Sequence, residues 1–153
     1  MASSHFDCRA MSNPRTQSWF RFLAAIFVGA LTWAGIGGLG LFMLRVTWAA
    51  YAIAEPTKSY TVPMLLSRLT AGVICTLVAG FVTELIAGRS RAATVYLGVV
   101  LLAGSAFIHL GRVWADYPPW YHTAYLLPLL PLTVLGGALA TRISPIGRGR
   151  STR

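Results

Sequence analysis

The chain has 153 residues, 56% of them hydrophobic and only 11% charged, with a net charge of +9 and a mean hydropathy of +0.62. A soluble domain carries about 25% charged residues, so this composition points to the bilayer, whose roughly 30 Å core takes about 20 helical residues per crossing. The positive charge does not indicate nucleic acid, because the arginines punctuate apolar runs and crowd the two ends instead of lining one basic face.

Residues 1–20 are polar, poor in aliphatics and expected to form a mobile tail, with Met11 an alternative start. The first apolar run, Phe22–Leu44, is about 34 Å long as a helix. It continues past Arg45 as VTWAAYAIA, and tilt or an interfacial turn of helix absorbs the excess. Ala52-Ile53-Ala54 before Glu55-Pro56 resembles a signal-peptidase site, but the apolar segment is far longer than the 7–15 residues of a cleavable signal. An uncleaved first helix is therefore expected.

After the polar loop EPTKSYTVP, the second run is Met64–Ala87, ended by Gly88 and the cluster Arg89-Ser90-Arg91. The third is Ala92–Gly111, and the linker RVWADYPPW leads to the fourth, Tyr121–Ala140, with Pro128 and Pro131 inside it. Each proline removes an amide donor, leaving the carbonyls of Ala124 and Leu127 without helical partners and predicting a kink. Thr123 and Thr133 are the nearby donors that could serve them. The basic, glycine-rich end RISPIGRGRSTR is expected to be a disordered tail. The fold class is thus all-α, one bundle of four transmembrane helices.

With the N-terminus inside, nine arginines fall on the inner side, while Arg45, Lys58, Arg68 and Arg112 fall outside. That bias predicts cytoplasmic termini and an outward-facing 112–120 linker. The excess of arginine over lysine hints at a GC-rich bacterial genome. Cys8 and Cys75 belong to different depths and are poor disulfide partners, and the outer loops lack the cysteine pairs of a thiol oxidase.

Helix association in lipid favours small residues. Ala30, Ala34 and Gly38 on the first helix, and Gly72, Thr76 and Gly80 on the second, recur at four-residue spacing, with Gly98, Gly104 and Ser105 on the third. These stripes are expected to pack helices together, a channel lining being the alternative.

Charged residues in apolar runs are functional candidates. Arg68 and Glu84 are sixteen residues apart, about 24 Å along one helix and about 160° around it, so they cannot pair. Arg68 is placed to snorkel to the outer headgroups or to meet Glu55 or Asp116; Glu84 is placed near Arg89 and Arg91. An antiparallel hairpin brings His109 and His122 to similar height, with Asp116 in the turn and Arg112 nearby. Two histidines and a carboxylate can bind a transition metal, and two facing histidines can ligate haem. The plainer reading is a structural turn in which Trp114, Tyr117, Trp120, Tyr121 and Tyr125 form an interfacial aromatic belt. No complete catalytic constellation or phosphate-binding loop is present, and no cofactor is predicted.

Met64-Leu65-Leu66-Ser67-Arg68-Leu69, Tyr117-Pro118-Pro119-Trp120-Tyr121-His122 and the fourth-helix Pro131 with Leu135-Gly136 resemble small, uncharacterised four-helix inner-membrane proteins of proteobacteria. In those proteins the second helix opens Met-Leu-x-x-Arg-Leu and the outer turn reads Phe-Pro-x-Trp-Tyr-His; tyrosine stands here for the phenylalanine. The resemblance covers residues 20–142. It implies the fold and a bacterial membrane, but no activity. The expectation is a non-enzymatic accessory or structural membrane protein in contact with lipid and with another membrane protein or a second copy. A small permease or channel and a haem or metal carrier are the alternatives.

Overall fold

The computed structural model describes residues 14–88 and 90–143. The described residues form α1 (Pro14–Thr47), α2 (Ala49–Ala54), α3 (Val62–Ala87), α4 (Arg91–Gly111), a 3₁₀ turn at Trp114–Asp116, α5 (Pro119–Leu126) and α6 (Leu129–Ile143). Four spans, Ser18–Thr47, Val62–Ala87, Arg91–Gly111 and Pro119–Ile143, are long and apolar enough to cross a membrane. The molecule is an all-α membrane bundle. α2, the 55–61 loop and the 112–118 linker lie at one end, called here the cap end; the Gly88 turn lies at the other, the tail end.

Its interior is built inversely to that of a soluble protein. Leu23, Phe27, Leu31, Phe42 and Phe107 are exposed, while Thr76, Thr83, Thr94 and Thr133 are fully buried. In lipid, large apolar side chains gain little by facing inward, and close backbone approach takes over as the packing force. The hydroxyls are satisfied within their own helices: Thr76 Oγ1 donates to Gly72 O at 2.7 Å and Thr83 Oγ1 to Ala79 O at 2.8 Å.

α3 is the hub, packing most extensively on α6 and α1. At the α3–α6 crossing, a Cβ added to Gly80 would lie 2.1 Å from Thr133 O, and one on Gly136 would lie 2.1 Å from Leu77 O. Only glycine permits that approach. The expected stripe on α3 therefore packs on α6 at Gly80, against the Thr133 backbone, while Gly136 of α6 packs in turn against Leu77 and Phe81 of α3.

The stripe on α1 divides. Ala30 joins the cluster around Ala79, Leu97 and Leu101, but Gly38 has open space where a Cβ would stand. α1 and α4 touch toward the tail end, where Phe22 and Tyr96 meet edge to face at 5.6 Å. Ala34 and Gly38 farther along line a cavity instead of a helix contact.

Three boundaries differ from the sequence expectation. α1 begins at Pro14, ahead of the expected Phe22, so residues 14–20 continue the helix; residues 1–13 lie outside the described residues, as does the tail from 144 onward. The excess apolar length after Arg45 is taken up by a break at Trp48 and the short α2. The fourth span is two helices, interrupted at Leu127–Pro128. Neither neighbouring threonine serves the freed carbonyls there: Thr123 Oγ1 donates to Pro119 O and Thr133 Oγ1 to Leu130 O. Each hydroxyl finds a nearer carbonyl within its own turn.

At the tail end, Gly88 closes α3 in the left-handed conformation (φ 70°, ψ 48°), its N–H donating to Glu84 O. Arg21 Nε donates to Ile86 O at 2.7 Å, so a cation of α1 sits at the negative end of the α3 dipole.

Candidate functional site

Three features set the chemistry of the cap end. Pro119 at the first position of α5 starts that helix where the extended Pro118 leaves off. Tyr121 and Tyr125, four residues apart, then share one face of α5 directed into the bundle, and Tyr117, in the extended stretch before Pro118, stacks on Tyr121 at 4.8 Å. Gly72 on α3 makes room for them: a Cβ there would meet the Tyr125 ring at 3.3 Å.

Arg68, six residues into α3, points at this face. Its Nη1 donates to Tyr51 OH at 2.5 Å and to Tyr60 OH at 3.3 Å, and its Nε donates to Tyr121 OH at 3.4 Å. The guanidinium carbon also lies 5.1 Å from the Tyr60 ring centre and 5.5 Å from that of Tyr117. Tyr60 and Tyr117 stack almost parallel, 5.7 Å apart and 9° from coplanar. Burial pushes the Tyr60 phenol above its ordinary value, with the Arg68 charge opposing the shift.

Arg68 thus neither snorkels freely nor meets Glu55 or Asp116. Glu55 is held by Arg45 at 2.6 Å, the one ion pair within 4 Å among the described residues. Arg45 hydrogen-bonds the Glu55 carboxylate and holds its pKa below the ordinary range. The Arg68 charge is therefore met by phenols and ring faces, and no carboxylate among the described residues lies within ion-pair distance of it. Its Nη2 makes no hydrogen bond among the described residues and is not sealed from the exterior.

The histidine pair forms as the hairpin geometry predicts. His109 Nδ1 and His122 Nδ1 are 2.9 Å apart, and His122 Nε2 lies 3.2 Å from Trp114 O. A carbonyl only accepts, so His122 Nε2 carries the hydrogen. In the neutral pair, His122 Nδ1 then accepts from His109 Nδ1–H, which leaves His109 Nε2 as a bare acceptor. That nitrogen has no partner among the described residues and is not sealed. The His109 ring stacks on Tyr125 at 4.5 Å and 15°, and the His122 ring stacks on Trp114 at 4.6 Å and 16°.

Asp116 does not join them, and no group of three or more His, Cys, Asp or Glu among the described residues could hold a metal. The two rings spend their Nδ1 atoms on each other at 2.9 Å, and His122 Nε2 is held by Trp114 O, so only His109 Nε2 is left to face a ligand. The expected belt is likewise divided. Trp114 and Trp120 face outward, but Tyr121 is buried and Tyr117 and Tyr125 are partly so. Arg112 is exposed on the cap.

Glu84 lies far away, at the tail end, 3% exposed, with Oε2 near Thr94 and Gly137 and without a hydrogen-bond partner among the described residues. It makes no ion pair with Arg91; Arg89 lies outside the described residues.

Arg68, His109 and Tyr121 line a common cavity of about 390 Å³ between α1, α3, α4 and α5, within the range of about 300–1,000 Å³ typical of small-ligand sites. Ala34 and Gly38 of α1 and Ile108 of α4 both line it and are exposed, so it opens sideways between these two helices. Trp33 and Cys75 lie at its deep end, where Trp33 Nε1 donates to Thr76 Oγ1 at 3.1 Å.

Tyr51 and Tyr60, two of the Arg68 partners, were not singled out as site residues from sequence. The four-residue period of Tyr117, Tyr121 and Tyr125 was the available signal for the inward face. The fold and site together define a membrane bundle with a lateral, cation-bearing cavity. Comparison with protein-family models, curated proteins and solved structures finds no match to the chain.

Proposed function

We propose that the chain is a non-enzymatic bacterial inner-membrane protein, both termini cytoplasmic, that holds a ligand in its cap-end cavity and acts as an accessory to other membrane components. The carrying observation is the side-opening cavity that Arg68 and His109 line. The positive-inside count and the resemblance to small proteobacterial membrane proteins support the orientation and the membrane. Of the alternatives, a through-channel is disfavoured because the Trp33–Thr76 hydrogen bond and the Ala79, Leu97 and Leu101 cluster close the bundle below the cavity. A cationic metal is disfavoured by the unneutralised guanidinium beside it.

Gly38→Trp tests the reading: Gly38 lines the cavity, a Cβ there meets nothing within 4 Å, and an indole at that position is expected to occupy the space. Native mass spectrometry of gently extracted protein is expected to show a retained small molecule or lipid on the wild type and none on the variant. Equal retention by both would refute the cavity. A haem absorbance band or stoichiometric metal in the purified protein would contradict the ligand-holding reading in favour of a cofactor carrier. A periplasmic reporter active at Gly88 would overturn the orientation.

A further inference from the structure

The cavity carries its charge at one end only. Arg68, Tyr117, Tyr121 and His109 stand near the cap, while uncharged Ala34, Gly37, Gly38, Gly72 and Cys75 line the way inward. From Arg68 to Cys75 is seven residues, about 10.5 Å along α3. A site with a charged head and an apolar slot open to lipid matches an amphiphile lying parallel to the helices.

The head chemistry follows from which atoms are left open. Arg68 uses Nε and Nη1 on tyrosine hydroxyls and keeps Nη2 free, so two N–H donors and a full positive charge await an anionic oxygen. His109 Nε2 offers the complementary acceptor. An anionic oxygen for the guanidinium and a hydroxyl donor for the imidazole belong together in a hydroxyl-bearing phosphodiester head.

Resting on the cavity reading above, we infer that the occupant is an anionic phospholipid of the cap-side leaflet. Its phosphate meets Arg68, its head hydroxyl meets His109 Nε2, and one acyl chain lies against the glycine wall of α1. Zwitterionic lipids lack the net negative charge that would neutralise Arg68, which forms no ion pair with a carboxylate among the described residues.

The test uses the full chain in nanodiscs of phosphatidylglycerol mixed equally with phosphatidylcholine, with retained lipid counted by native mass spectrometry. Both lipids offer Arg68 a phosphate oxygen, but only phosphatidylglycerol lacks a compensating ammonium and brings a hydroxyl for His109 Nε2, which is expected to favour it roughly tenfold or more. Arg68→Gln is expected to bring the ratio close to one, and Arg68→Lys, which keeps the charge but not the fork, to leave part of it. Phosphatidylmethanol, anionic but without the head hydroxyl, is expected to fall between the two lipids, and His109→Phe to erase its difference from phosphatidylglycerol.

Equal retention of both lipids by the wild type overturns the proposal, as does a phosphatidylglycerol preference unchanged in Arg68→Gln and Arg68→Lys. Displacement of the lipid by inorganic phosphate identifies a soluble anion as the ligand and also overturns it. Lipid retained without head preference, and lost in Gly38→Trp, removes the anionic class but leaves the cavity reading standing. Retention that survives Gly38→Trp removes both.

Discussion

Gly80→Ala is the sharpest probe of how this bundle holds together. The new methyl would lie 2.1 Å from Thr133 O, 2.8 Å from its carbonyl carbon and 2.9 Å from its Cα. Side-chain Cβ atoms essentially never come within 3.0 Å of such atoms, so α3 and α6 must open by at least about 0.9 Å (3.0 less 2.1). The obstacle is backbone and no rotamer can relieve it. Overpacking of this kind costs about 1–3 kcal/mol, which is roughly a five- to 150-fold fall in the folding constant. Gly104→Ala provides the control, because a Cβ there meets nothing within 4 Å and alanine is the better helix former by up to about 1 kcal/mol. Reversible unfolding in mixed micelles, followed by circular dichroism, measures both. Gly80→Ala is expected to unfold at clearly lower denaturant and Gly104→Ala at equal or higher denaturant than wild type. If the two variants behave alike, the close α3–α6 crossing is not what stabilises the fold.

Three further outcomes follow from local geometry. Gly88→Ala places a side chain at φ 70° and against the Arg21 guanidinium, and is expected to cost about 1–2 kcal/mol in the same unfolding assay, with Gly88→Asn costing less. Nitrogen-15 spectra of labelled histidine, recorded at alkaline pH where both rings are neutral, are expected to show the Nε2–H tautomer for His122 and the Nδ1–H tautomer for His109; the reverse tautomers would contradict the hydrogen-bond order. The Arg45–Glu55 pair is exposed and expected to matter little. Because its folded carboxyl pKa is lowered, its contribution is present above the ordinary carboxylate range and fades as pH falls through the folded value. Wild type and Glu55→Gln should therefore differ slightly at neutral pH and low salt, and coincide in acid.

Much of this architecture is legible in the residues. Four apolar runs give four spans, and Gly80 announces a close helix contact through its small-residue spacing. The hairpin argument brings His109 and His122 level because both lie about one turn from the same linker. What stayed hidden required tertiary direction. The same four-residue rule places Gly38 on a stripe identical in kind to that of Gly80, yet one faces a backbone carbonyl and the other open space. Spacing records that a face is smooth, not what approaches it. Charge complementarity alone points Arg68 to a carboxylate or a headgroup, but Glu55 pairs with Arg45 and the tyrosine hydroxyls take the guanidinium. A belt of aromatic residues at a helix end can face lipid or fold inward, and only the turn at Pro118–Pro119 decides which.

The proposed lipid, with its anionic head at Arg68, would lay an acyl chain in the cavity beside Trp33. A protein retaining Trp33 as its sole tryptophan, with Trp19, Trp48, Trp114 and Trp120 changed to phenylalanine, reports on it through quenching by chain-brominated lipids. Stronger quenching by brominated phosphatidylglycerol than by brominated phosphatidylcholine, with the excess lost in Arg68→Gln, is the predicted result. Equal quenching by the two lipids in the otherwise wild-type protein would contradict it.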